Sequence, residues 1–230
     1  MSWRKIHKWL GLLIGIQILM WVAGGVYMTA MPLSMVHGNH LINDAPKLEN
    51  PPSSINFAID LSAYHSVRWI VSDQKWIVEA VAFSGDTVYF DPTFSEPDPL
   101  GIMDKSAIER IALSRYAGSA ITHSIQWISE PPSEASGISE SVYRVDFNDW
   151  VNTTFYLHPI TGEVLKVRSD IWRLFDIFWM LHIMDYEHRE DFNNPLLITS
   201  AVLSLAFLAT GMMLLIIWGR KAMRHKRALS

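Results

Sequence analysis

Residues 10–31 read LGLLIGIQILMWVAGGVYMTAM, and residues 195–218 read PLLITSAVLSLAFLATGMMLLIIW. Neither run contains Asp, Glu, Lys or Arg. At 1.5 Å per residue each is long enough, as a helix, to cross a hydrocarbon layer about 30 Å thick. Backbone groups in hydrocarbon must be satisfied within their own segment, so both runs are expected as membrane-spanning helices. The apolar core of a secretory signal covers only about 7–15 residues before a small-x-small cleavage site. The first run is longer and lacks a convincing site, so an uncleaved anchor is expected.

Every acidic residue lies between the two runs. Arg4, Lys5 and Lys8 precede the first, and Arg220, Lys221, Arg224, Lys226 and Arg227 follow the second. The positive-inside rule therefore puts both ends in the cytoplasm and the middle outside. The whole chain carries 19 basic and 23 acidic residues, so the middle keeps 11 basic against 23 acidic, a net charge of −12. Such a surface repels nucleic acid and gathers cations. The basic ends suit contact with anionic lipid. With no cysteine in the chain, disulfides, thiolate iron–sulfur sites, covalent c-type haem and thiol catalysis are all excluded. Any metal chemistry must use His, Met or oxygen ligands.

The chain divides into five segments. Residues 1–36 form the first spanning helix with its basic start. Residues 37–54 hold Gly38, Asn39, Asn43, Pro46, Asn50, Pro51 and Pro52 and read as a linker. Residues 55–170 form an outer domain. Strands are expected at Ser66–Ile70, Trp76–Phe83 and Thr87–Phe90, with a hairpin turn at Ser84-Gly85-Asp86. A helix follows at Asp104–Tyr116, capped by Asp104 or Ser106 and carrying Ile108, Ile111 and Ala112 inward. A second strand group comprises His123–Ser129, Val142–Phe147, Thr153–His158 and Val164–Val167, the last two joined through Pro159-Ile160-Thr161-Gly162. The fold class is α+β, an antiparallel sheet with a packed helix between two spanning helices. Residues 171–190 are expected as an interfacial amphipathic helix, and residues 191–230 as the second span with its basic tail.

Three stretches together resemble one known family: Trp3-Arg4-Lys5-Ile6-His7-Lys8-Trp9-Leu10-Gly11, Tyr156-Leu157-His158-Pro159-Ile160-Thr161-Gly162-Glu163-Val164, and Leu181-His182-Ile183-Met184-Asp185-Tyr186. They resemble the PepSY-associated transmembrane family, and in particular its small two-span members of the VciB type. The resemblance implies a PepSY-like domain at the periplasmic face of a bacterial inner membrane. It also implies reduction of ferric iron in support of ferrous iron uptake, and larger relatives hold haem between their helices. Common members have four spans where this chain has two, which makes a homodimer the natural substitute.

His182 is the most specific residue. On a helix over Ile171–Met184 it lies 180° from Arg173, amid Ile171, Phe175 and Phe178, with Trp172 and Trp179 on the flank. An imidazole in that strip needs a partner for its nitrogens. Either it is a histidine hydrogen-bonded to backbone or, as the resemblance implies, an axial ligand of haem b, since neutral imidazole suits iron. His37 and His40, spaced i, i+3 beyond the first span, are candidate second ligands if helix continues through them; otherwise they cap or face solvent. His40 is the favoured one.

His7, Gly11 and Gly15 share a face of the first helix, and Gly11-x-x-x-Gly15 is a close-approach motif that suits a homodimer. His7 then either approaches its symmetry mate as a further haem ligand, as the family pattern implies, or sits in a basic collar. Asp185, Glu187, His188, Glu190 and Asp191 form an acidic run that either holds Fe(III) or Fe(II) transiently or is a solvated face. No phosphate-binding glycine loop, G-x-S-x-G elbow or H-E-x-x-H motif is present.

The resulting expectation is a haem b-dependent ferric reductase. A quinol or other donor supplies its electrons, because the sequence has no flavin or nicotinamide fingerprint, and a ferrous iron transporter is the downstream partner. Two readings stay open beside it: a non-catalytic anchored module that binds a protease, peptide or envelope partner, and an accessory subunit that delivers iron without redox change.

Overall fold

The computed structural model describes residues 2–50, 60–94 and 98–229. It divides into two compact units, one made of Met1–Pro32 with Leu174–Ser230 and the other of Leu33–Arg173.

In the first unit, helix α1 runs Trp3–Ala30. It stops where Met31 turns extended, at φ −92° and ψ 118°, because the ring of Pro32 disfavours helical backbone in the residue before it. The expected 1–36 helix is thus shorter at its outer end. Two later helices complete this unit: α4, Asp170–Ile183, from Leu174 onward, and α5, Pro195–Leu229. Both α1 and α5 are long and apolar enough to cross a membrane. Their side chains face outward: Leu13 is 70% and Ile16 75% exposed on α1, and Leu205 is 69% exposed on α5. Such open apolar surface on two long helices is compatible with a membrane protein.

The second unit begins with the short helix α2, Leu33–Val36, and a 3-10 turn at Asn39–Leu41. Strands β1 (Tyr64–Ser72), β2 (Lys75–Ala82) and β3 (Thr87–Phe90) form an antiparallel sheet in that order. Helix α3, Lys105–Arg115, follows, with the Asp104 side chain accepting from the Ala107 N–H at 2.7 Å. Strands β4 (Thr122–Ile128), β5 (Val142–Phe147), β6 (Thr154–Leu157) and β7 (Val164–Arg168) make a second antiparallel sheet, again in chain order. Ile108, Ile111 and Ala112 of α3 pack on Val145, Phe155 and Leu157 to form the main core.

The α+β expectation holds at this level, with one difference: the strands make two sheets. The far edge of β3 is taken up by Pro99 and Leu100, through a Phe90–Pro99 bridge and a Leu100 N–H to Tyr89 carbonyl bond of 2.7 Å. The chain then passes into α3 before β4 begins. The described part of the expected linker also behaves differently. Leu41 is buried in the main core, Ile42 bridges to Tyr116, and the Asn43 N–H donates to the Arg115 carbonyl at 2.7 Å. Pro51 to Ser54 of that linker, and the start of the outer domain at Ile55, lie outside the described residues.

Candidate functional site

Within the first unit, α1 is covered in two stages. Towards its start, Gly11 faces Phe207 of α5, where an added Cβ would stand 3.0 Å from the ring. His7 stacks on the same Phe207 at 4.3 Å between centroids and 8° between planes. Its Nδ1 lies 3.0 Å from the Thr210 hydroxyl, and Gly211 supplies room for the imidazole. Towards its end, Gly24 and Tyr27 receive Phe178 of α4, and the Gln17 amide donates to the Leu181 carbonyl at 3.1 Å. Gln17 and Thr210 thus join helices, whereas the Ser204 hydroxyl donates to the Ser200 carbonyl within α5.

This geometry changes the reading of the glycine motif. The face bearing His7 and Gly11 is occupied by α5 of the same chain, so neither is open to a second copy. Gly15 and Gly25 have nothing within 4 Å of an added Cβ. The exposed side of α1 is instead the one that carries Leu12, Ile16 and Leu19, which are 64%, 75% and 69% exposed.

His182 lies in the last turn of α4, as the helical arithmetic requires, and is exposed. Its ring sits beside Trp21 of α1, 6.0 Å between centroids and tilted by 50°. Among the described residues neither imidazole nitrogen makes a hydrogen bond. The Trp21 Nε1 is buried and has no acceptor, an arrangement that ordinarily costs about 1–3 kcal/mol. A free imidazole beside an indole N–H that lacks an acceptor fits haem in donor chemistry: the nitrogen for iron, the N–H for an oxygen of the macrocycle's side chains. Trp21 carries no sequence motif; only its spacing from Gly24 on α1 hints at a shared face.

The helix expected over 171–190 ends at Ile183, because Met184 takes the left-handed conformation at φ 54°. Beyond it, one carboxylate organises the acidic run. Asp185 accepts backbone N–H bonds from Glu187, His188, Glu190 and Asp191 at 3.0–3.2 Å. The Asp191 and Glu190 amides, above all, hold its carboxyl far below the ordinary carboxylate range. Glu187 and His188 point into solvent, and Asp191 caps Asn193 through a 2.7 Å bond. No three His, Asp or Glu side chains come together as a metal-holding group among the described residues. The loop closes on Asn194, whose amide donates to the Ile183 carbonyl and whose oxygen accepts from Leu197 N–H at the start of α5, with Pro195 at the first helical position.

His37 and His40 belong to the second unit and are both exposed. Gly38, at φ 74°, ends the helical turn between them, and an added Cβ there would lie 2.5 Å from Val167. They do not share a helix face. The same unit buries a histidine that the sequence places at the end of an expected strand and marks with no role of its own. His158 Nδ1 accepts from the Ile160 and Thr161 N–H groups at 3.2 and 3.1 Å, which fixes the proton on Nε2, 3.4 Å from Glu140. Arg173, at the root of α4, reaches Glu134 at 3.0 Å, while the Tyr156 hydroxyl donates to Glu134 at 2.5 Å. Burial pushes the Glu134 carboxyl up, but the bonds from Arg173 and Tyr156 and the nearby guanidinium charges outweigh it and hold the carboxyl below its ordinary value.

No family model, curated protein or solved structure matches this chain.

Proposed function

We propose that the protein is a bacterial inner-membrane electron-transfer protein, with its second unit on the periplasmic side, that reduces Fe(III) to Fe(II) with one electron per ion and so feeds a ferrous iron transporter. The observation that carries the reading is His182, a free imidazole on an apolar helix, next to the unpartnered Trp21 N–H. The resemblance of three sequence stretches to the PepSY-associated transmembrane family supports it. The basic residues at both chain ends support cytoplasmic termini.

Haem b bound at His182 would carry single electrons from a quinol or similar donor toward the outer face. His182 would ligate the iron, and a second copy of the chain, meeting the exposed Leu12, Ile16 and Leu19 side of α1, would complete its coordination. Trp21 Nε1 would donate to an oxygen of the bound group. His7, already held by Phe207 and Thr210, fixes α1 against α5. The net negative charge of the middle segment concentrates the cationic substrate outside.

The test is the visible spectrum of the full chain, purified in detergent with haem supplied during expression, before and after dithionite. A sharp reduced α-band that is bleached by added Fe(III), and is lost in a folded His182→Ala variant, is the expected result. A folded preparation without haem, or a spectrum unchanged in His182→Ala, would refute the proposal.

A further inference from the structure

A cavity of about 500 Å³ opens in the second unit between the β1–β2 hairpin, the end of α3 and the β6–β7 turn. Arg68 to Val71, four consecutive residues of β1, all line it. Successive side chains of a strand point to opposite faces, so consecutive lining means that the cavity is bounded by the edge of the strand. β1 is the outer strand of its sheet, and among the described residues nothing pairs with that edge. The opposite edge of the sheet, on β3, is closed by Pro99 and Leu100. An open edge is an aggregation liability that proteins usually blunt with proline, a bulge or a covering segment. The edge from Ser66 to Ser72 has no proline and no register break.

The cavity also carries an available positive charge. Arg115, at the last turn of α3, donates from Nε to the Asn43 carbonyl at 3.0 Å. Among the described residues its two terminal nitrogens have no hydrogen-bond partner and no carboxylate lies within ion-pair distance. Arg68 differs in being already paired with Glu79 at 2.6 Å. Glu163 and Asp44 act on Arg115 through space without forming an ion pair, and Asp73 also lines the cavity. The walls are fixed: the Ser72 hydroxyl donates to the Thr161 carbonyl at 2.8 Å, and Gly162, at φ 68°, packs against Ile111.

We infer that this cavity binds an extended peptide, which adds to the free edge of β1 as a fourth strand and places an acidic side chain on Arg115. Backbone pairing supplies the affinity, and the guanidinium, presenting two unused nitrogens to a carboxylate, supplies the selectivity. The four lining residues of β1 span about 13 Å, enough for four residues of the incoming strand. This inference is independent of haem.

Hydrogen exchange of the full chain in detergent micelles tests it. The probes are acetylated, amidated heptapeptides Thr-Val-Thr-X-Thr-Val-Thr with X as Glu or Gln, plus a version of the Glu peptide with proline in place of both valines. The Glu peptide is expected to slow exchange within residues 64–72 at least tenfold and to bind about tenfold more tightly than the Gln peptide. The proline peptide, which lacks two donors, is expected to give no protection. Arg115→Gln should abolish the preference for Glu while leaving backbone-driven protection, and Arg115→Lys should restore part of it. Protection of the β1 edge in the free protein, equal protection by the proline peptide, no protection at millimolar peptide, or a Glu preference that survives in Arg115→Gln would each overturn the inference.

Discussion

Replacing His158 by Ala should destabilise the second unit by about 2–4 kcal/mol. The imidazole is 5% exposed, and its Nδ1 is the acceptor for two backbone N–H groups, those of Ile160 and Thr161. Alanine leaves both donors without an acceptor, each at about 1–3 kcal/mol when buried. Thr161 is buried and Ile160 half-buried, which places the sum in the lower half of the combined range of about 2–6 kcal/mol. For a unit of this size, 1 kcal/mol moves a melting midpoint by roughly 2–4 °C, so a drop of roughly 4–16 °C is expected. The control is His158→Asn, whose short side-chain oxygen can accept from the amides two and three residues on, as in Asx turns. It should recover most of the loss. Near-ultraviolet circular dichroism of the detergent-solubilised full chain reads the transition. A midpoint for His158→Ala within 2 °C of the native protein, or an Asn variant as damaged as the Ala variant, would show that the turn does not depend on this acceptor.

Glu134→Gln should weaken the root of α4 and remove a source of acid sensitivity. Because the folded-state pKa is held below the unfolded one, its stabilisation is complete above about pH 5 and is lost as the pH falls through the folded value. The native protein should therefore lose stability on acidification below pH 4 more steeply than the variant, as read by denaturant midpoints across that range. Gly11→Val should loosen the packing of α1 on α5 by about 1–3 kcal/mol, whereas Gly15→Ala, facing open space, should stay within about 0.5 kcal/mol; steric trapping or thermal inactivation in detergent compares them. Asp185→Asn should speed amide exchange across residues 187–191, because a neutral carboxamide with a single acceptor oxygen replaces a carboxylate that takes four N–H bonds. Unchanged exchange there would mean that the loop is held from elsewhere.

Where an element's instructions are local, the sequence is a sufficient guide. The Asp104 cap, the hairpin at Ser84-Gly85-Asp86 and the two uncharged runs each depend on residues within one or two turns, and each lies within a few residues of its expected place. The position of His182 follows in the same way, since helical periodicity alone decides which face it occupies. What escapes is set by contacts far along the chain. Nothing near Gly11 announces that Phe207 will fill its face, and nothing near Leu41 announces that it will join the core under α3. Asp185 escapes for a different reason: five ionisable residues in a run resemble a ligand set, but the backbone amides of the run claim the carboxylate first.

The pairing of His7 with Thr210 joins residues 203 positions apart, and this sets a timetable for biosynthesis. At about 5–20 residues per second, roughly 10–40 s separate the appearance of α1 from that of its partner α5. On the proposed placement in a bilayer, the first helix must wait through that interval as a lone insert, with Gly11 and the imidazole of His7 facing lipid, while the second unit is exported and folds. Its apolar length makes that wait tolerable, in keeping with helices that insert independently and associate afterwards. A histidine and a glycine groove left uncovered for that long also make α1 the point at which a membrane chaperone would find this chain.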